Sequence, residues 1–284
     1  IKLLNDNVNE FSKVENTSTT ISNFSDLIEK LRNLKLREKK PFAIMFEDLE
    51  QAKGHIKIND TEAELLSSSA RPIVLIEKED GIFDEACMGS RFVGAMLPSN
   101  PVQHMLTKEL GPIIMTSGNI SGEPIITENE QMLRIYEGSD CLDGVLYHDR
   151  DIITSLDDSI YYVLDNTAHI MRRGRGVAPE SIPLNLGSKT VFAAGSDLKA
   201  CLGFYKNGKA VLSQHFGDLE DESCTEVYKK SAEHISALFG FKPDVTVSDM
   251  HPAYFSSKLS DELYGLSSIK VQHHHAHIAS VMAE

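Results

Sequence analysis

From residue 24 onward, apolar positions recur at helical spacing. Phe24, Leu27, Ile28, Leu31 and Leu34 lie on one face, Asn23 stands as N-cap with Asp26 three positions on, and the pattern predicts a helix ending near Lys35. The run PFAIMF at 41–46 predicts a strand. A helix follows over part of 48–67, with Thr61 and Glu64 as its capping box, and then a strand RPIVLIEK at 71–78. The alternation continues with a helix after Pro101, a strand PIIM at 112–115 and a helix opened by Thr127 with Glu130. A strand GVLYH at 144–148 and short strands near 158–164 and 169–172 complete it. This order predicts an α/β domain built around one twisted sheet.

The pattern breaks at PESIPLNLGS, 179–188, where two prolines and a glycine interrupt it. The break divides the chain into domains at 1–180 and 188–284. Beyond it, TVFAAG (190–195), KACLGFY (199–205) and KAVLSQ (209–214) read as consecutive strands, the last two joined through Asn207-Gly208, a hairpin signal. A helix over about 224–239, a strand DVTVSD (244–249), a helix from Pro252, a strand SSIKV (267–271) and a last helix carrying histidines follow. The order βββαβαβα is that of a ribonuclease-H-like or actin-like half-domain. No internal repeat appears, although residues 5–23 are rich in Asn, Ser and Thr.

Composition narrows the class. The 284 residues are 41% hydrophobic and 25% charged, and no apolar run approaches the roughly 18 residues of a membrane span. A net charge of −14 disfavours non-specific nucleic-acid binding, so RNA is an unexpected partner. The four cysteines form no CxxC pair, and are expected to be reduced thiols of a cytoplasmic protein. The sequence starts at Ile1 without Met and stops at Glu284 within an expected helix, and it reads as a fragment.

Against that acidic background, Lys30, Arg32, Lys35, Arg37, Lys39 and Lys40 make a local reversal of sign. They suit either a solvated helix end complementing the helix dipole or a phosphate clamp. A strand running into Thr116-Ser117-Gly118-Asn119 offers backbone N–H groups and hydroxyls that approach phosphate oxygens closely, or a simple turn. Asp157-Asp158-Ser159 and Arg172-Arg173-Gly174-Arg175 add further charge-assisted donors. At the C-terminus, His273 and His277 are four apart in His273-His274-His275-Ala276-His277, one helical turn, a spacing suited to one metal ion.

These residues carry a family resemblance. Lys35-Leu36-Arg37 with Ser117-Gly118-Asn119 is similar to the KxR…SxN signature of YrdC-type nucleotide-binding domains. The longer strings LRNLKLREKKPFAIM, SSSARPIVLIEK, GAMLPSNPVQHML, MTSGNISGEPI, YHDRDI, DDSIYYV and RRGRGVAPESI resemble the hydrogenase-maturation carbamoyltransferase (HypF) family. So do AAGSDLKACLGF, LSQHFGDLED and VQHHHAHIASVMAE, and the similarity covers about residues 24–284. The resemblance implies a YrdC-like α/β domain followed by the first part of an actin-like domain. It implies an enzyme that makes carbamoyl-adenylate from ATP and carbamoyl phosphate, with Mg accompanying the nucleotide. The carbamoyl group would then pass to the C-terminal cysteine of a hydrogenase-maturation partner (HypE-like), towards the cyanide ligands of [NiFe] hydrogenase.

By the same resemblance, Lys35 and Arg37 face phosphate or carbamoyl oxygens as catalytic residues. Thr116, Ser117 and Asn119 position the nucleotide, Ser159 and Arg172 match weaker positions of the pattern, and His273 and His277 hold Zn or Fe. The family's remaining metal ligand would lie beyond Glu284. Asp197 and Lys199 fall where actin-like folds cradle phosphate or, equally, in an ordinary hairpin-entry loop; His215, Asp218, Asp249 and His251 are polar residues at strand ends. The family's acylphosphatase domain and CxxC fingers are not in the sequence, residues 1–7 look like its preceding helix, and residues 8–22 lack its KGxGG-type turn. An RNA-binding YrdC-like module and a threonylcarbamoyl-adenylate synthase are the alternatives. The appended actin-like half and histidine tract weigh against the synthase.

Overall fold

The computed structural model describes residues 2–3 and 24–283. Two compact units divide them. The first comprises Ile1–Ser121, Glu128–Arg150 and Asp158–Gly176, the second Gly122–Thr127, Asp151–Asp157 and Val177–Glu284. Asn23 and residues 8–22, with the expected cap and the missing glycine turn, lie outside the described residues.

The first unit runs β1 (Lys2–Leu3), α1 (Phe24–Lys35), β2 (Ala43–Met45), α2 (Leu49–Lys53), α3 (Asp60–Ser67), β3 (Ile73–Glu77), α4 (Asp84–Cys87) and β4 (Phe92–Met96). It continues with α5 (Pro101–Leu110), β5 (Ile113–Met115), α6 (Asn129–Glu137), β6 (Ile160–Leu164) and β7 (Thr167–Arg172). Its sheet has the order β1-β5-β2-β4-β3-β6-β7, with β2 parallel to β4 and antiparallel to β5, and β3 parallel to β6. Alternation along the strands sorts the two faces. Ile44, Val74, Ile76, Val93, Ala95 and Ile114 pack with Ile28 and Leu31 of α1, Ala52 of α2, Leu66 of α3 and Ala86 and Cys87 of α4. Met45, Met96 and Ile113 face the other way, against Leu106 and Leu110 of α5.

Several expectations are corrected. Residues 2–3 are extended, not helical: Lys2 and Leu3 pair with Ile114 and Ile113, so the outer edge of β5 gains a backbone partner that a helix could not supply. The capping box over 48–67 is Asn59 with Glu62, not Thr61 with Glu64; Asn59 Oδ1 accepts from Glu62 N and Glu62 Oε2 from Asn59 N, both at 2.9 Å. α6 starts at Asn129 after Glu128, so Thr127 does not open it. GVLYH at 144–148 forms no strand; Leu146 and Tyr147 are 82% and 59% exposed and have no sheet to cover. β4, which the periodicity did not announce, lies between β2 and β3.

The second unit contains β8 (Glu180–Pro183), β9 (Val191–Ala193), β10 (Gly203–Lys206), β11 (Lys209–Leu212), α7 (Glu222–Leu238), β12 (Val245–Asp249), α8 (Phe255–Tyr264), β13 (Ile269–Val271) and α9 (His273–Ala283). Its sheet order is β13-β12-β9-β10-β11-β8. β12 is parallel to both neighbours, whereas β9, β10, β11 and β8 are antiparallel. The expected hairpin is present: Asn207 and Gly208 both have positive φ, 52° and 78°, the twist that suits a two-residue turn. Part of the proline-interrupted segment is structured, since β8 pairs with β11 through Ile182 and Ala210. Phe192 and Phe204 form the core with Tyr228, Ala232 and Ile235 of α7 and with Phe241, and the Tyr228 hydroxyl donates to Ala194 O at 2.8 Å.

Candidate functional site

α1 ends at Lys35 because Leu36 turns left-handed, φ 48°, and the Arg37 N–H closes back on Arg32 O at 2.9 Å. The reversal carries Lys35 and Arg37 to the segment leaving β5. Lys35 is 5% exposed, and its Nζ donates to Ser117 O at 2.6 Å, Asn119 O at 2.5 Å and Asn119 Oδ1 at 3.2 Å. Ser117 Oγ donates to the same Asn119 Oδ1 at 2.6 Å, and the Ser121 N–H to Lys35 O at 2.8 Å. Arg37 Nη1 reaches Thr116 Oγ1 at 3.5 Å, while Nη2 and Nε hold Pro41 O and Lys40 O. The chain thus joins Lys35, Arg37, Thr116, Ser117 and Asn119 across some 80 residues of sequence. Chemically, this cluster sets a half-buried guanidinium and a hydroxyl-rich turn beside one another, a donor set suited to phosphate oxygens.

Ser159 and Arg172 belong to a second cluster. β6, which Ser159 precedes, is separated from β5 by β2, β4 and β3. Ser159 is fully buried; its Oγ donates to Arg175 O at 3.1 Å and accepts from Gly174 N at 2.9 Å. Arg172 Nε donates to Asp158 O at 2.9 Å, and Arg175 pairs with Asp158 at 2.7 Å and holds the Ala70 and Arg71 carbonyls. Close approach of residue 176 to that loop requires glycine: Gly176 has φ +80°, and a Cβ there would lie 2.5 Å from Ala70 Cα.

In the second unit, α9 begins at His273, so His273 and His277 stand one turn apart, Nε2 to Nε2 3.1 Å, with His274 and His275 exposed. Two donors on one tetrahedral ion with bonds near ~2.05 Å lie about 3.3 Å apart, so the pair fits a shared ion. Asp249 Oδ2 sits 2.6 Å from His273 Nδ1, the contact by which a carboxylate fixes a ligating imidazole. Burial would raise the Asp249 carboxyl, but hydrogen bonds from His273 and the His251 N–H, with the charge of both imidazoles, bring it below the usual carboxylate range. No group of three or more His, Cys, Asp or Glu side chains converges on a metal position among the described residues. Sequence reasoning gave Asp249 little weight. The signal for it was topological, since parallel pairing sets Asp249 opposite Val271, two residues before His273.

Asp197 is buried, and its two oxygens accept from Phe255 N and Ser256 N at 2.8 Å each, capping α8 from a distant loop. Lys199 is exposed with φ 51°, its N–H donating to Asp218. His215 Nδ1 accepts from Gly217 N, and the His251 ring lies 4.2 Å from that of Tyr254. All four cysteines are free thiols. No described helix is long and apolar enough to cross a membrane.

Comparison with known proteins places these clusters in a family. Residues 22–174 match the Sua5/YciO/YrdC family model, described as telomere recombination, and residues 187–284 match the HypF Kae1-like domain. Carbamoyltransferase HypF of Synechocystis sp. is 38% identical over 91% of this chain and 34% of its own length. HypF2 of Cupriavidus necator is 34% identical over 92% and 35%. A full-length HypF solved in a phosphate- and nucleotide-bound form superposes with a TM-score of 0.84 at 38% identity, over 92% of this chain and 34% of that one. HypF of T. kodakarensis gives a TM-score of 0.85 at 32% identity, over 92% and 35%. The chain therefore belongs to the HypF carbamoyltransferase family, spanning about a third of the length of the curated relatives it matches, with a Sua5/YciO/YrdC-type domain followed by a HypF Kae1-like domain.

Proposed function

We propose that the first unit binds ATP with Mg and joins its AMP to a carbamoyl group drawn from carbamoyl phosphate. The second unit then hands that group to the C-terminal cysteine of a HypE-like maturation partner. The balance consumes one water and releases phosphate and pyrophosphate on making the adenylate; AMP leaves when the cysteine sulfur takes the carbamoyl carbon. Adenylate formation crowds negative oxygens into one transition state, so fixed cations and hydroxyls are the groups such a step requires. The observation that carries the reading is the joining of Lys35 and Arg37 to the Thr116–Asn119 turn.

Within that reading Lys35 folds the turn, because its three N–H bonds have three acceptors on Ser117 and Asn119. Arg37 and the hydroxyls of Thr116 and Ser117 face the phosphates, and Ser159 and Arg172 support the far part of the sheet. His273 and His277 would hold a zinc or iron ion, which when bound would supply positive charge for polarising an oxygen ligand, and Asp249 orients His273. RNA binding through the basic segment is disfavoured by the net charge of −14. Calorimetry with ATP and then GTP tests the reading. Saturable binding selective for ATP is expected, and weak binding that decays steeply with salt alike for both would overturn it.

A further inference from the structure

Beneath the Lys35–Arg37 turn lies a cation to which neither the family comparison nor the proposed chemistry gives a role. Arg32 on α1 is 8% exposed, and its fork is filled by main-chain oxygens. Nη1 donates to Arg37 O at 3.2 Å and Lys40 O at 2.9 Å, and Nη2 to Glu85 O at 3.3 Å and Ala86 O at 3.2 Å. Its Nε is buried and has no hydrogen-bond partner among the described residues. Burial pulls the guanidinium below its ordinary value. A buried charge answered, among the described residues, by neutral dipoles and one ring face is expensive to hold, and an apolar side chain would fill the same corner more cheaply. The position therefore calls for something that only a guanidinium does.

That something is to tie two segments together. Residues 37–40 follow Leu36, whose left-handed backbone is unfavourable for a side chain with a Cβ, so the turn needs an external hold. Arg32 fastens the turn to α4, whose Ala86 O also accepts from Phe42 N at 3.0 Å. Arg32 and Arg37 share two partners. Lys40 O accepts from Arg32 Nη1 and from Arg37 Nε, and the two guanidinium carbons lie 4.6 and 5.0 Å from the Phe42 ring centroid. Lysine, with three donors on one atom and no plane, cannot bridge the four carbonyls or stack in this way.

We propose that Arg32 is a positioning residue: by clamping residues 37–40 to α4, it sets the Arg37 guanidinium in place before an anionic ligand arrives. The ligand side of this inference rests on the nucleotide reading above; the clamping side does not. Two measurements on the full chain separate them. Calorimetry with ATP is expected to show Arg32→Lys weakening binding at least fivefold. In that background, Arg37→Ala should add much less than it costs alone, because both changes remove one preorganised group. Amide hydrogen exchange read by mass spectrometry is expected to rise at least tenfold over residues 36–42 in Arg32→Lys and to stay unchanged in the second unit. Phe42→Leu, which spares the guanidinium bonds and removes the shared ring, should move both readouts in the same direction by less, and it serves if Arg32→Lys does not fold. Fully additive losses, or unchanged exchange over 36–42, would overturn the proposal. If the wild type binds no ATP, the nucleotide reading fails, and the exchange measurement alone decides whether Arg32 clamps the turn.

Discussion

Lys35 Nζ lies 2.5 Å from Asn119 O and 2.6 Å from Ser117 O, so a side chain at the end of α1 closes a turn 82 residues later. The ammonium is buried, and removing it takes charge-assisted hydrogen bonds from Ser117 O, Asn119 O and Asn119 Oδ1, while Ser117 O keeps the Asn119 N–H at 3.1 Å. Lys35→Met should therefore destabilise the chain by about 3 kcal/mol, since hydrogen bonds to a charged group contribute roughly 1.5–3 kcal/mol each. It should also abolish ATP binding. Urea unfolding and calorimetry on the same sample check both. A midpoint equal to wild type would mean that the turn stands without Lys35.

Arg37 and Lys39 belong to one basic segment, yet only Arg37 is held against the turn; Lys39 is exposed. A planar guanidinium fixed by carbonyls can present paired N–H groups to a phosphate, whereas a mobile ammonium contributes screened charge. Arg37→Ala should weaken ATP binding at least tenfold, about 1.4 kcal/mol, and Lys39→Ala less than twofold. Equal losses in calorimetry would reduce the segment to general electrostatics.

The cysteines divide by burial. Cys87 and Cys224 are fully buried, and desolvation pushes both thiols up to about 11; Cys141 and Cys201 are half-exposed. Dithiobis-nitrobenzoate at pH 8 should titrate two thiols per native chain and four in urea. The buried pair keep their protons in the folded chain above the ordinary thiol value of ~8.5, while the unfolded chain releases them. Stability from these groups is thus complete below ~8.5 and declines as pH rises towards 11. Urea midpoints at pH 8 and pH 10 measure it, and Cys87→Ala with Cys224→Ala should flatten part of the decline.

Helix and strand order was largely legible because the buried faces follow periods of 3.6 and 2. What failed has local causes. β4 carries a glycine at its centre: a Cβ at Gly94 would stand 3.0 Å from Ile73 Cγ2, so the residue permits close packing inside the sheet while adding nothing to the apolar period. Asn59-x-x-Glu62 and Thr61-x-x-Glu64 offer the same capping pattern two residues apart, and only the start of α3 at Asp60 chooses between them. Of the candidate residues, the Lys35–Arg37 and Thr116–Asn119 segments were visible as motifs, but Arg32 was only one charge among six. Its role depends on where Glu85, Ala86 and Phe42 lie in space, which periodicity does not encode.

The histidine pair gives the last prediction. With two Nε2 atoms 3.1 Å apart and Asp249 on the far nitrogen of His273, the site can supply two neutral imidazoles to one ion and leave further positions to other donors. Zinc added to the full chain should therefore bind at one equivalent, weakly for a two-ligand site. His273→Ala with His277→Ala should abolish that equivalent. Asp249→Asn should retain it at 10- to 100-fold lower affinity, because the amide no longer holds His273 in the tautomer that leaves Nε2 unprotonated. His274→Ala with His275→Ala, both exposed on other faces of α9, should change nothing. Acid weakens binding because protonated imidazole has no lone pair to donate. Competition titration against a chromophoric chelator reads all three variants. An unchanged stoichiometry in the His273/His277 double variant, or equal losses in the His274/His275 control, would reduce the tract to a polyhistidine surface with no defined site.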